Sequence, residues 1–210
     1  MIDRASENDM VIEVFADITC PFTHVGLKRV LEHVEAMDQP ASVWVRAWPL
    51  EWVNGAGLEC GAVLEKAAIL TEQLGVNDFE GLDPAQWPET TLPALELAAA
   101  AYDIDMATGL AVSMHLRTAL FEQGQNIQDP GVLAQIAAAH GVQIGENARA
   151  GVQTDYDDGG RRGVAGSPHF MVGSDDFFCP ALDLGHDPQG HLTARFDPAG
   201  LSAFFARIDG

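Results

Sequence analysis

The sequence predicts an α/β fold interrupted by an all-helical insertion. Two strand-like runs flank a helical stretch within the first fifty residues, a middle block of about a hundred residues is helical in texture, and strand texture returns before a closing helix. Residues 1–55 and 157–210 are therefore expected to form one domain, with 56–156 inserted into it.

Each element has a local reason. Met10 to Ala16 is rich in Val, Ile and Phe and partly alternates, as a buried strand does. From Phe22 to Met37 the residues Val25, Leu27, Val30, Leu31 and Val34 recur at helical spacing, and Pro21 suits a first helical turn, where a missing N–H is harmless. Ala41 to Trp48, "ASVWVRAW", is a second strand ended by Pro49. A helix joining two such strands is a right-handed crossover between parallel neighbours. In the middle block, "GAVLEKAAILTEQLG" is a helix stopped by Gly75, followed by a turn-rich link with three prolines. The run from Ala94 to Gly124 gives two helices broken near Asp103 to Asp105. Asp129 and Pro130 start a further helix that Gly141 stops. "HFMVG" and "FFC", separated by "SDD", read as a hairpin. Asp197 and Pro198 open the last helix, with Leu201, Phe204, Phe205 and Ile208 on one face.

Composition narrows the function classes. The chain has 210 residues, 47% of them hydrophobic, with 31 Asp and Glu against 11 Lys and Arg, a formal net charge of −20. Such a surface repels phosphate backbones and anionic lipids, so nucleic acid and membrane surfaces are not expected partners. The longest apolar run, "LELAAAA", is far short of the ~20 residues of a membrane span, and the polar start "MIDRASENDM" has no secretory signal pattern. Three widely spaced cysteines make no disulfide framework, which places the protein in the cytoplasm with reduced thiols.

The chemistry-bearing residues fall in two stretches. Cys20 stands between a strand end and a helix start, where free backbone N–H groups and the helix dipole favour a thiolate. His24, four residues on, shares that helical face and is a candidate to support the anion. Equally, free cysteines are often simply buried. In "GVAGSPHFMV", Pro168 meets a strand to which it cannot donate, so it belongs at the strand's first residue or edge.

In that order, "CPFT" at a helix start, "WPLEW" after the second strand, "LRTALFEQGQNIQDPGVLAQIAAAHGV" and "GVAGSPHF" resemble the DsbA-like branch of the thioredoxin superfamily. The likeness spans essentially the whole chain and is nearest to FrnE-type proteins, 2-hydroxychromene-2-carboxylate isomerases and kappa-class glutathione transferases. It implies a thioredoxin fold with an all-helical insertion and an active site at the first helix's N-terminus, facing a cis-proline loop. Cys20 then matches the nucleophile, Pro21 and Phe22 the intervening pair, and Pro168 the cis-proline, with Ser167 and His169 flanking it. Thr23 stands where dithiol members have a resolving cysteine, so no disulfide can form within the motif.

Three functions remain open. Cys20 works as a single thiol, forming mixed disulfides with glutathione, another low-molecular-weight thiol or a protein. Alternatively, the site binds glutathione without a covalent bond for isomerisation or transfer, with the Thr23 hydroxyl donating to the bound thiolate. Or the chain is a non-catalytic binding module. No tightly bound cofactor and no metal is expected, and a homodimer is compatible with the sequence. The resemblance also implies that the segment after "FFCP" turns back toward the first helix, which makes Cys179 a candidate thiol contact or resolving thiol; the alternative is a small core residue.

Weaker candidates complete the reading. His186 and His191 have a loose metal-like spacing, read as a surface loop, and Cys20 with His24 would make a poor two-ligand site. Leu64, Ala67, Ala68 and Leu74 form a core stripe, Trp44, Trp48 and Trp52 pack sheet against insertion, and Cys60 is a buried small residue. Arg161 and Arg162 either cap the preceding helix or bind a carboxylate.

Overall fold

The computed structural model describes residues 10–37, 41–145, 147–186, 188 and 192–209. Strand β1 (Met10–Ala16) runs into helix α1 (Pro21–Glu35), which returns the chain to β2 (Ala41–Ala47), parallel to β1. Strands β3 (His169–Val172) and β4 (Asp175–Phe178) add on the other side in antiparallel register, giving the order β2-β1-β3-β4. Gly173, at φ 61°, supplies the left-handed residue of the turn between them.

Alternation along β1 sends its two faces into different cores. Ile12, Val14 and Ala16 pack with Leu27 and Val30 of α1, and with Phe204 and Ile208 of the last helix. Phe15 points the other way, onto Trp48 and Met171. Trp48 and Trp52 meet Tyr156 with ring centroids 5.0 and 5.2 Å apart, so these tryptophans do join the sheet to a helix of the middle block.

Between β2 and β3 the chain is helical: α2 (Leu50–Asn54), α3 (Cys60–Leu74), α4 (Leu92–Tyr102), α5 (Met106–Phe121), α6 (Pro130–Ala139) and α7 (Ala148–Arg161), with a short 3₁₀ turn at Pro84–Gln86. Asp105 caps α5 by accepting from the Thr108 N–H, and Asp129 caps α6 by accepting from Gly131 and Val132, so both sequence-read breaks have a hydrogen-bonding cause. Their own core is built on Leu97, Val112, Leu116, Phe121, Ile127 and Ile136, and reaches the sheet through Ile18 and Ala47. Helix α7 spans the 156/157 boundary drawn from the sequence. In α3 the buried residues are Val63, Ala67 and Leu70, while Leu64 and Ala68 face solvent, a stripe rotated from the one expected. Cys60 opens α3 and is half-buried rather than buried.

The segment after Cys179 departs most from the sequence reading. It forms a second antiparallel hairpin, β5 (Leu182–His186) with β6 (Leu192–Phe196), where a loop was expected. Asp197 then caps α8 (Pro198–Ile208), and its own N–H bonds to the Ala181 carbonyl, so the hairpin closes at its base. His191 and the side chain of His186 lie outside the described residues. No helix among the described residues is long and apolar enough to cross a membrane.

Candidate active site

Cys20 is the residue on which β1 hands over to α1. It is the N-cap of α1 with an extended backbone (φ −78°, ψ 113°), Pro21 follows at the first helical position, and its side chain makes no capping bond. Instead the thiol donates across the site to the Ser167 carbonyl oxygen, with Sγ and O 3.0 Å apart. The Ser167–Pro168 peptide bond is cis. Two elements about 150 residues apart in sequence thus meet at one sulfur.

Hydroxyls fix this meeting. The Asp17 N–H donates to Ser167 Oγ at 3.0 Å, and Ser167 Oγ lies 2.8 Å from Thr23 Oγ1. Thr23, where a dithiol site would carry its second sulfur, is fully buried and holds the proline loop by this bond. His169 anchors the loop from the other end: its Nδ1 accepts from the Ala165 N–H at 2.9 Å, which leaves Nε2–H to donate to Asp176 at 2.9 Å. Both nitrogens of His169 are therefore engaged in positioning Ser167–Pro168.

Asp17 and Arg117 stand behind the thiol, and neither was singled out in the sequence. The buried Asp17 carboxylate accepts from the Thr19 N–H and hydroxyl (2.8 and 2.7 Å), the Leu50 N–H (2.8 Å) and the Thr91 hydroxyl (3.1 Å). One anion thereby ties the exit of β1 to α2 and α4. Arg117 is completely buried and donates to the Asp17 carbonyl at 3.2 Å and to the Ser113 carbonyl and hydroxyl at 2.9 and 2.7 Å. Burial lowers its pKa to about 10, partly offset by Asp17, Tyr102 and Cys20, so it stays a cation at neutral pH within the electrostatic reach of the thiol. The available signal was Ser113 and Arg117 at helical i, i+4 spacing on a face otherwise made of Val112, Leu116 and Leu120.

His24 does not act as the expected partner of a Cys20 thiolate. Its ring is fully buried beside Phe79 and Phe121, with centroids 5.9 and 5.1 Å away. Nε2 approaches Glu122 Oε1 to 3.0 Å, but off the hydrogen-bond direction, so neither ring nitrogen has a hydrogen-bond partner. Burial lowers the imidazole pKa to about 4, with Glu122 opposing it, and the ring is neutral at pH 7. Desolvation by the apolar wall outweighs the carboxylates of Glu122 and Asp78, which Lys28 and Arg117 also counter.

His24, Asp78 and Glu122 bring potential ligand atoms within 4.8 Å of one another. The Lys28 ammonium pairs with both carboxylates, 3.2 Å from Glu122, and holds the place a cation would take. Arg161 and Arg162 are likewise committed, Arg161 to Asp158 at 3.0 Å and Arg162 to both oxygens of Glu13 at 2.8 and 2.9 Å.

The thiol is covered: Cys20 is 3% exposed, as is Cys179. Both pack in one apolar cluster with Phe22, Val25, Leu70 and Leu182, and Leu74 and Leu201 close over it. Phe22 thus belongs to the wall of a narrow apolar cleft shared with Pro168 and Cys179.

A family model described as a DSBA-like thioredoxin domain matches residues 11–187. The chain belongs to that family. Three solved structures share the DSBA-like fold. A candidate protein disulfide isomerase from Nitrosomonas europaea aligns at 15% identity with a TM-score of 0.62, covering 96% of this chain and 97% of its own. The cytosolic disulfide reductase DsbM from Pseudomonas aeruginosa, solved with GSH, aligns at 17% identity and 0.60, covering 79% and 87%. A 2-hydroxychromene-2-carboxylate isomerase aligns at 13% and 0.62, covering 80% and 88%. At these identities the likeness is one of fold. No curated protein matches the chain. Within the DSBA-like fold, this chain keeps a cysteine at the start of α1 and a cis-proline opposite it, and offers Thr23 in place of a second sulfur in the motif.

Proposed function

We propose that the protein is a thiol-disulfide oxidoreductase of the DSBA-like family that works through Cys20 as a single motif thiol, in the cytoplasm, on a mixed disulfide with glutathione or a similar small thiol. The observation that carries this is the Cys20 thiol at the N-cap of α1, 3.0 Å from the Ser167 carbonyl at the cis-proline. Attack by the Cys20 sulfur on a disulfide would form a new S–S bond to the sulfur it strikes and release the other as a thiolate. In that step Arg117 supplies a buried positive field and the helix N-terminus a favourable dipole for the anion. The apolar cover over Cys20, which leaves it 3% exposed, favours a small partner over a folded protein surface, and the DsbM structure with GSH is a precedent for a small thiol on this fold.

The non-covalent isomerase reading finds less support, because Thr23 is fully buried with its hydroxyl against Ser167 Oγ at 2.8 Å. Intact-mass measurement of protein purified without reductant tests the proposal. Cys20 held in a disulfide that dithiothreitol removes, to a small thiol or to another cysteine of the chain, is expected. Protein that stays unmodified after incubation with oxidised glutathione would overturn it.

A further inference from the structure

The single-thiol site lacks a means of release within its own motif. Cys179 lies where one is needed. It is 3% exposed and shares its apolar cluster with Cys20, Phe22 and Val25. The two cysteines are fastened to consecutive residues of the proline loop: the Cys20 thiol donates to the Ser167 carbonyl at 3.0 Å, and the Cys179 N–H donates to the Pro168 carbonyl at 3.1 Å. Cys179 is also the one non-glycine residue with positive φ, 48°, among those described. That left-handed residue ends β4 and leads into Pro180 to Leu182, which line an apolar cleft with Phe22 and Pro168, so Cys179 sits at a bend packed against the start of α1.

From this placement we propose that Cys179 is the resolving thiol of the site, and that the protein cycles through a Cys20–Cys179 disulfide outside the usual motif. The proposal rests on Cys20 forming a mixed disulfide. The Cys179 sulfur attacks the Cys20 sulfur of that adduct, a Cys20–Cys179 bond forms, the bond to glutathione breaks, and the Cys179 proton leaves with the glutathione thiolate. No electron is gained or lost overall; the disulfide has moved from the small thiol to the protein. A reducing thiol of the same class returns both cysteines to the reduced state by the reverse exchange.

Local chemistry separates the two roles. Burial, with Cys20 beside it, pushes the Cys179 thiol pKa well above its ordinary value, so Cys179 stays protonated and does not compete for the first attack. It already packs in the same apolar cluster as Cys20, whereas Cys60, at the start of α3, lies outside that cluster.

Peptide mapping of the full chain after brief treatment with oxidised glutathione tests this role, with Cys60→Ser as background to remove the third thiol. The expected result is a Cys20–Cys179 linked peptide and free glutathione, whereas Cys179→Ala and Cys179→Ser keep a stable glutathione adduct on Cys20. A lasting Cys20 adduct in the parent protein, with Cys179 still alkylatable after unfolding, would overturn the resolving role and leave the single-thiol reading intact. Neither adduct nor disulfide at Cys20 would overturn both. Mapping the parent protein alone separates these outcomes even if a Cys179 variant fails to fold.

Discussion

His24 carries the strongest residue-scale prediction, because its chemistry is the reverse of the role its spacing suggests. Its folded pKa, about 4, lies below the ordinary 6.5, so the unfolded chain binds the proton more readily. The corresponding stability is present above pH 6.5 and is lost as pH falls toward 4, on the order of 3 kcal/mol in all. Urea titrations across that window should show His24→Leu losing less stability on acidification than the parent; parallel losses would remove His24 as the cause. Asp17 makes a second case. Replacing it by alanine strands the Thr19, Leu50 and Thr91 donors and leaves Arg117 without the nearby anion, so a loss of about 3 kcal/mol in urea unfolding is expected. A loss below about 1 kcal/mol would mean that water replaces these bonds. Neither residue's role was legible in the sequence. A polar side chain buried by contacts far along the chain leaves no periodic trace, whereas Cys20 announced itself by standing at a strand–helix joint.

Among the elements, helix α1 holds the chemistry and the turn into β3 faces it. The sequence carried both, since Pro21 and Pro168 each restrict where their element can begin. It did not carry β5 and β6: Asp183 and Gly185 interrupt any strand pattern, and pairing between Leu182–His186 and Leu192–Phe196 supplies what local propensity lacks. Residues of that hairpin, with Leu70 and Leu74 of α3, cover the thiol. Alkylation of Cys20 by iodoacetamide should therefore be slower by at least about tenfold in the native protein than in urea, and opening of this cover should set the native rate. Equal rates would show that the cover does not protect the sulfur. Placing the second sulfur in α1, by Thr23→Cys, should create a motif disulfide and raise insulin reduction supported by a protein dithiol donor. A disulfide that forms without any such activity would point to a binding role for the site.

For the molecule as a whole, the helical insertion and the sheet form separate cores joined through Ile18, Ala47 and the Trp48–Tyr156 contact. A helical insertion was legible in the sequence as a change of texture, because helices and strands bury apolar residues at different periods. The acidic excess amounts to −20 in formal charge. Its cost is self-repulsion, so moderate salt should raise the melting temperature from its value at low ionic strength; a fall would show that attractive ion pairs such as Arg162–Glu13 dominate instead. Under the proposed function Cys20 acts on a small disulfide, and turnover of one tests the central claim most directly. In a hydroxyethyl disulfide assay with glutathione as reductant, the parent and Cys60→Ser should turn over at similar rates, and Cys20→Ser should fall to the uncatalysed background. Activity retained by Cys20→Ser would contradict the assignment of Cys20 as the working thiol.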